Sequence, residues 1–106
     1  METKLTDENF EKELEGSEKP ALVDFFATWC DPCSLLAPVL EKVAGEFSGK
    51  LILVKVNLDD IPLTAQRLGI QQIPTVLLFK KGKAEGGFIG LRREEDIRKW
   101  LESMNL

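Results

Sequence analysis

Apolar and polar positions along the chain follow strand-like and helix-like periods in turn. Runs rich in apolar residues predict four β-strands, at residues 20–27, 51–58, 75–80 and 85–89. The first run has almost no polar interruption, which is typical of a strand covered on both faces. Apolar residues spaced three or four apart predict four helices: one that begins near residue 7, two at 32–47 and 62–68, and one along 94–104.

Capping and breaking residues mark the ends of these helices. Thr6 or Asp7 can cap the first helix, which should stop near Gly16. Pro38 lies inside the second helix and should bend its axis, because it removes a backbone hydrogen bond. Gly69 should end the third helix. Strands that alternate with helices, followed by a hairpin and a closing helix, predict a mixed sheet between helical layers.

The length of 106 residues fits one small domain, residues 1–106. The longest apolar stretches, 51–54 and 76–79, are far shorter than the roughly 20 residues needed to cross a bilayer, so we expect no membrane association. The first eight residues contain no apolar segment typical of a secretory signal, and we therefore expect a cytoplasmic protein.

Composition excludes several kinds of chemistry. The net charge of −4 lacks the basic footprint of a nucleic-acid-binding protein. Because histidine is absent, histidine bases, histidine-ligated metals and Ser-His-Asp or Cys-His catalysis are excluded. Two cysteines, Cys30 and Cys33, are too few for a structural zinc site within one chain, so we expect no metal.

Both cysteines lie where an apolar strand leads into a helix that begins near Pro32. A helix start has unpaired N–H groups and a partial positive charge, which favour a thiolate and so a nucleophilic cysteine. Cys33 lies one turn after Cys30 and can reach its sulfur to form a disulfide. This spacing after a strand is typical of redox sites.

Three other interpretations of the cysteine pair compete with redox chemistry. A purely structural disulfide would stabilise little, because closing a four-residue loop contributes about 2 kcal/mol against roughly 4.7 for a 100-residue loop. Metal binding would require ligands from a second chain. Two inert core cysteines also remain possible.

Asp24 and Lys55 are charged residues inside apolar strands. An unpaired, ionised Asp24 would be very costly there, so either it is paired or its pKa rises and it becomes a usable base. Lys55, on the neighbouring strand, is a plausible partner. In the alternative, both side chains reach the edge of the sheet and are solvated. The residues alone leave these possibilities open.

Eight segments together carry a likeness to a known family. They are residues 22–33, 37–38, 49–51, 55–59, 69–70, 73–75, 79–82 and 89–90. Over nearly its whole length the chain thus resembles the thioredoxin family. The tryptophan-led cysteine pair would be suggestive alone. Combined with Ile-Pro-Thr at 73–75 and the strand aspartate, it is highly specific.

The resemblance implies an α/β thioredoxin fold, with a central mixed five-stranded sheet flanked by four helices. It implies that Cys30 is the attacking thiolate and Cys33 the resolving thiol, joined by a redox-active disulfide with no bound cofactor. Asp24, with Lys55 beside it, would take the proton from Cys33 through water. Pro74 would be a cis-proline that faces the cysteines.

The resemblance also implies a small apolar surface that contacts substrates. Its residues would be Trp29, Asp31, Pro32, Ile73, Pro74, Ile89 and Gly90. The implied partners are thioredoxin reductase, as electron donor, and disulfide-containing protein substrates, and we expect a monomer. Trp29 could instead be a core aromatic.

Two positions depart from the family pattern and bear on the thiolate. Asp31 stands where the family usually has glycine, and Ser34 where a basic residue is common. Both changes should disfavour the Cys30 thiolate slightly and make the disulfide a similar or slightly weaker oxidant. Asp31 could equally point into solvent and stabilise the start of the helix.

The predicted function is therefore a protein disulfide reductase that acts as a dithiol electron carrier. One alternative is a protein-binding module of the same fold, in which redox chemistry is secondary. A second alternative is an oxidase or isomerase with a more oxidising potential.

Overall fold

The computed structural model describes residues 4–106. Helices and strands alternate along the chain much as the apolar pattern predicts. In order, the elements are α1 (Phe10–Glu15), β1 (Ala21–Phe26), α2 (Asp31–Glu46), β2 (Ile52–Asn57), a short 3₁₀ turn (Leu58–Asp60), α3 (Pro62–Leu68), β3 (Thr75–Lys80), β4 (Lys83–Ile89) and α4 (Glu94–Ser103).

The strands form one mixed sheet in the order β2-β1-β3-β4. β1 pairs with β2 in parallel, and β3 is antiparallel to both β1 and β4. The mixed sheet and all four strands predicted from the apolar pattern are confirmed. The count of five strands, which came only from the resemblance, is wrong for residues 4–106. Ahead of α1 the chain turns instead of pairing, because Thr6 N–H binds Asn9 Oδ1 at 2.7 Å and Thr6 O accepts from Phe10 N–H at 3.0 Å.

The start of α1 also differs from the prediction. Asn9, rather than Thr6 or Asp7, is the N-cap residue. Asp7 instead reaches across to α3, where its carboxylate accepts hydrogen bonds from the backbone N–H groups of Leu63 at 3.1 Å and Thr64 at 2.7 Å. An aspartate is well suited to capping a helix, as predicted for Asp7, but the helix that Asp7 caps is α3, which is distant in sequence.

Apolar side chains cover both faces of β1. Leu22 belongs to the core cluster that α2 and α4 share with the sheet, whereas Val23 and Phe25 belong to the cluster on the opposite face, with α1 and α3. Successive residues of a strand alternate between faces, so Asp24 lies on the same face as Leu22. This alternation places a carboxyl group beneath α2, the helix that begins beside the two cysteines.

Candidate active site

The two cysteines lie at the junction where β1 leads into α2. Cys30 is the N-cap residue of α2, and Cys33 lies in the first turn. The backbone N–H of Cys33 donates a hydrogen bond to Cys30 Sγ at 3.2 Å. The two side chains form a disulfide, with their Cα atoms 5.3 Å apart. Negative charge on the Cys30 sulfur would be stabilised here by N–H groups and by the positive end of a 16-residue helix.

Both cysteines are almost completely buried in this disulfide. Cys30 is 5% exposed and Cys33 is 4% exposed, and both cluster with Ala27, Phe26 and Ile73. A resolving thiol is expected to be the more buried of the two, but Cys33 hardly differs from Cys30. Their exposed fractions are nearly equal because the bonded sulfurs share the same apolar neighbours.

The residues that border the disulfide on the chain are exposed. Trp29 is 75% exposed, which excludes its interpretation as a core aromatic. Asp31 and Pro32 form the exposed first turn of α2. A carboxylate is favourable at this end of a helix, so Asp31 has a structural role besides any effect on sulfur.

The remaining candidate contact residues come from the facing ends of β3 and β4. The peptide bond between Ile73 and Pro74 is cis, as the resemblance implies. Pro74 is buried, and its carbonyl accepts a hydrogen bond from Gly90 N–H at 2.8 Å. Because Ile73 touches the cysteine cluster, this loop and the disulfide form a continuous site.

Ile89 and Gly90 form the outer edge of this loop region. Ile89 is half exposed, at 51%. Gly90 has a φ of +83°, which favours glycine, and a Cβ built at this position would have no heavy atom within 4 Å. The space in front of Gly90 is therefore open to the backbone of another molecule.

Asp24 is buried on the side of the site beneath α2. Asp24 is only 2% exposed, and its Oδ1 atom has no hydrogen-bond partner among the described residues. Burial raises the pKa of Asp24 to about 6, the nearby Lys55 ammonium lowers it, and the Glu41 carboxylate raises it. The interpretation in which Asp24 is solvated at the edge of the sheet is therefore wrong.

Lys55 lies opposite Asp24 in the β1–β2 register, but the two do not form the ion pair that we considered. Within residues 4–106, the Lys55 ammonium binds Glu41 on α2 instead. Lys55 and Glu41 are both substantially exposed, so this pair forms where water can still solvate both charges. A fully buried pair with Asp24 would give up that solvation.

A pocket of about 290 Å³ connects Asp24 with Cys33. Its lining consists of Asp24, Phe26, Ala27, Thr28, Cys33, Ser34, Ala37 and Lys55. The volume is large enough for water molecules, and the polar groups that it contains could bind them. The pocket thus offers a route for a proton between Cys33 and the Asp24 carboxyl group.

Glu41 is a residue of this site that the sequence analysis missed. A signal was present, because Cys33, Ala37 and Glu41 are spaced four apart and therefore lie along one face of α2. That face is the one turned toward the pocket. The pairing of Glu41 with Lys55 could not be predicted, because the two residues lie on different elements whose packing the sequence does not state.

Residues 4–106 contain neither a candidate metal site nor a candidate membrane-spanning helix. No group of three or more histidine, cysteine, aspartate or glutamate side chains in that range could hold a metal ion. In the same range, no helix is both long enough and apolar enough to cross a membrane.

Comparisons with known proteins agree with this architecture. The family model described as Thioredoxin matches residues 2–103. Thioredoxin 2 of Chlorobaculum tepidum is 46% identical over 97 residues, which cover 92% of this chain and 89% of that protein. Thioredoxin of Acidithiobacillus ferridurans is 41% identical, covering 93% and 92%. Thioredoxin of Rickettsia felis is 39% identical, covering 95% and 96%.

The family match, the relatives and the disulfide at the start of α2 lead to one conclusion. The described helices, the mixed sheet and the redox-competent cysteine pair are those of a dithiol–disulfide reductase. The chain therefore belongs to the thioredoxin family of thiol–disulfide oxidoreductases.

Proposed function

We propose that this protein reduces disulfides in other proteins, with Cys30 as the nucleophile and Cys33 as the resolving thiol. The observation that carries the proposal is the disulfide at the start of α2, where Cys33 N–H already binds the Cys30 sulfur. In the reduced protein the same N–H group and helix end would stabilise a Cys30 thiolate, which is the reactive form in disulfide exchange.

The first step is attack on a substrate disulfide. Cys30 thiolate forms a new S–S bond with one substrate sulfur, and the substrate S–S bond breaks. The other substrate sulfur leaves as a thiolate and takes up a proton from water. The product of this step is a mixed disulfide between Cys30 and the substrate.

The second step releases the substrate. The Cys33 thiol loses its proton to the Asp24 carboxylate, through water in the connecting pocket, and the Cys33 thiolate attacks the Cys30 sulfur. The bond between Cys30 and the substrate breaks, and the substrate leaves as a thiolate. A base whose pKa is about 6 can accept a proton near neutral pH and later return it, which supports Asp24 in this role.

Substrate contact is proposed for the exposed rim of the site. Trp29 supplies a large exposed aromatic surface beside the disulfide, and Pro32, Asp31 and Ile89 are exposed around it. Ile73 and Pro74 form the floor next to the cysteines, and Gly90 leaves open space. An extended substrate segment could bring its backbone close to Gly90.

The oxidised protein must be recharged with two electrons and two protons. We propose that a thioredoxin reductase in the cytoplasm supplies them, that the protein acts as a monomer and single domain, and that it needs no bound cofactor. Family membership is what supports this choice of partner.

A coupled assay tests the proposal. The protein, a candidate thioredoxin reductase and NADPH are mixed with insulin, and both NADPH oxidation and insulin precipitation are followed. The wild-type protein should couple the two signals, and Cys30→Ser should abolish both. Full activity in a variant that carries Cys30→Ser and Cys33→Ser would instead favour a binding module in which redox chemistry is secondary.

A further inference from the structure

Asp24 and Glu41 compete for one ammonium group. Asp24 is the direct neighbour of Lys55 across the β1–β2 pair, and its buried Oδ1 atom has no partner among the described residues. Nevertheless, the Lys55 ammonium binds Glu41, a carboxylate that lies on α2 and is largely exposed. The buried carboxyl group, which would gain most from a counter-charge, is the one left without it.

We propose that Glu41 is a positioning residue for the dithiol chemistry: by binding the Lys55 ammonium, it leaves the Asp24 carboxyl group without an ion pair. Glu41 does not line the pocket and need not touch substrate. It acts through Lys55, which does line the pocket. This inference rests on the proposed role of Asp24 as the base for Cys33.

Two electrostatic effects of Glu41 act in the same direction. First, Glu41 draws the flexible lysine side chain toward itself, and the attraction between Lys55 and Asp24 weakens as their charges separate. Second, Glu41 carries a charge like that of ionised Asp24. Burial raises the pKa of Asp24 most, and the charge of Glu41 raises it further against the opposing effect of Lys55.

The groups that face Asp24 come from three elements. From β2 comes Lys55, and from α2 come Cys33, which lines the same pocket, and Glu41. On the other side, β3 places the apolar Val76 opposite Asp24. Glu41 is thus the carboxylate through which α2 can influence the protonation of Asp24.

The test replaces Glu41 with glutamine, which has the same shape but no charge. The Asp24 carboxyl group is titrated by NMR of the ¹³C-labelled oxidised protein, and the rate at which the reduced protein reduces a disulfide substrate is measured across pH in single turnover. In Glu41→Gln the titration midpoint of Asp24 and the midpoint of the pH–rate profile should both move to lower pH. On the acidic side of the wild-type midpoint, the rate should be about two- to fivefold higher, because more Asp24 is ionised.

The matched control is Glu46→Gln. Glu46 lies on the same helix and forms its own ion pair with Arg98 of α4, but it does not pair with Lys55. Its replacement removes the same charge from α2 and should leave both midpoints unchanged. A second comparison uses Lys55→Met, in which the effect of Glu41→Gln should become smaller because the lysine that it positions is gone.

The outcomes separate this inference from the function on which it rests. The positioning role is overturned if the titration midpoint of Asp24 does not move in Glu41→Gln, or if it moves as much in Glu46→Gln. It is also overturned if Glu41→Gln shifts this midpoint by the same amount whether or not Lys55→Met is present. Each of these results leaves the base role of Asp24 intact. An Asp24 midpoint that moves while the rate profile stays fixed overturns the base role of Asp24, and the inference falls with it.

Discussion

Asp24 occupies a buried position that is costly for an ionised carboxylate. Its carboxyl group lies in an apolar strand, and burial raises its pKa from the ordinary 3.8 to about 6. Between these two values the folded protein binds a proton that the unfolded chain has released. Stability from this group is therefore fully present below about pH 3.8 and is lost as the pH rises through about 6. The loss is about 3 kcal/mol when it is complete.

The variant Asp24→Asn should reveal this cost, because the amide stays neutral at every pH. The free energy of unfolding of the variant relative to wild type should increase by up to about 3 kcal/mol between pH 4 and pH 8. Urea unfolding at the two pH values measures it. The exposed Asp59, changed to asparagine, is a control that should show almost no such increase. A relative stability that is constant with pH would contradict the account of Asp24.

Asp31 places a negative charge one residue from Cys30, in the exposed first turn of α2. In Asp31→Gly the Cys30 thiolate should form at lower pH, because this charge no longer opposes it. The reduced form would gain roughly 1 kcal/mol or less, so the reduction potential should become less negative by up to about 20 mV. Thiolate absorbance and equilibrium with glutathione measure the two quantities. A more negative potential in the variant would contradict this role for Asp31.

The helix α2 connects the chemistry to the core. Its first turn holds both cysteines, and its buried stripe includes Leu36, Leu40 and Val43. Pro38 lies within the helix, as the sequence predicts, and it is exposed. The stripe fixes the helix on the sheet and so determines where the sulfur atoms lie relative to Asp24 of β1.

Two glycines in different elements should respond oppositely to alanine. A Cβ at Gly87 of β4 would collide with the backbone oxygen of Val76 and the side chain of Leu77 on β3. Gly87→Ala should therefore destabilise the protein by about 1–3 kcal/mol. Gly45 lies in α2 with no heavy atom within 4 Å of a Cβ, so Gly45→Ala should stabilise by about 0.4–1 kcal/mol.

Thermal or urea unfolding of the two variants side by side tests this pair. A Gly87→Ala variant as stable as wild type would contradict the close packing of β4 on β3 at this position. A Gly45→Ala variant less stable than Gly87→Ala would contradict the open space at Gly45 on α2.

Much of the molecule could be predicted because the relevant signals are local. The apolar run at 20–27 is itself the strand β1, and the spacing of Cys30 and Cys33 at its end gives their disulfide. Gly69 ends α3 with a φ of +74°, as a glycine after a helix should. In each of these cases the residues that determine the structure are neighbours in the sequence.

What could not be predicted depends on contacts between distant segments. Asp7 caps α3 across 56 or 57 positions, and nothing near Asp7 in the sequence indicates this. Lys55 pairs with Glu41 instead of Asp24, and this partner lies 14 positions away on another element. The fifth strand was expected from the resemblance alone, and no apolar run in the chain supports it.

At the scale of the whole molecule, the fold holds the Cys30 sulfur at the start of α2, with the Cys33 sulfur within bonding distance. Mass spectrometry of the Cys33→Ser variant, mixed with a disulfide-containing protein, tests this most directly. The account predicts a stable mixed disulfide that joins the substrate to Cys30, and none in the reciprocal Cys30→Ser variant. A substrate bound through Cys33 in the Cys30→Ser variant, with none trapped on Cys30, would contradict it.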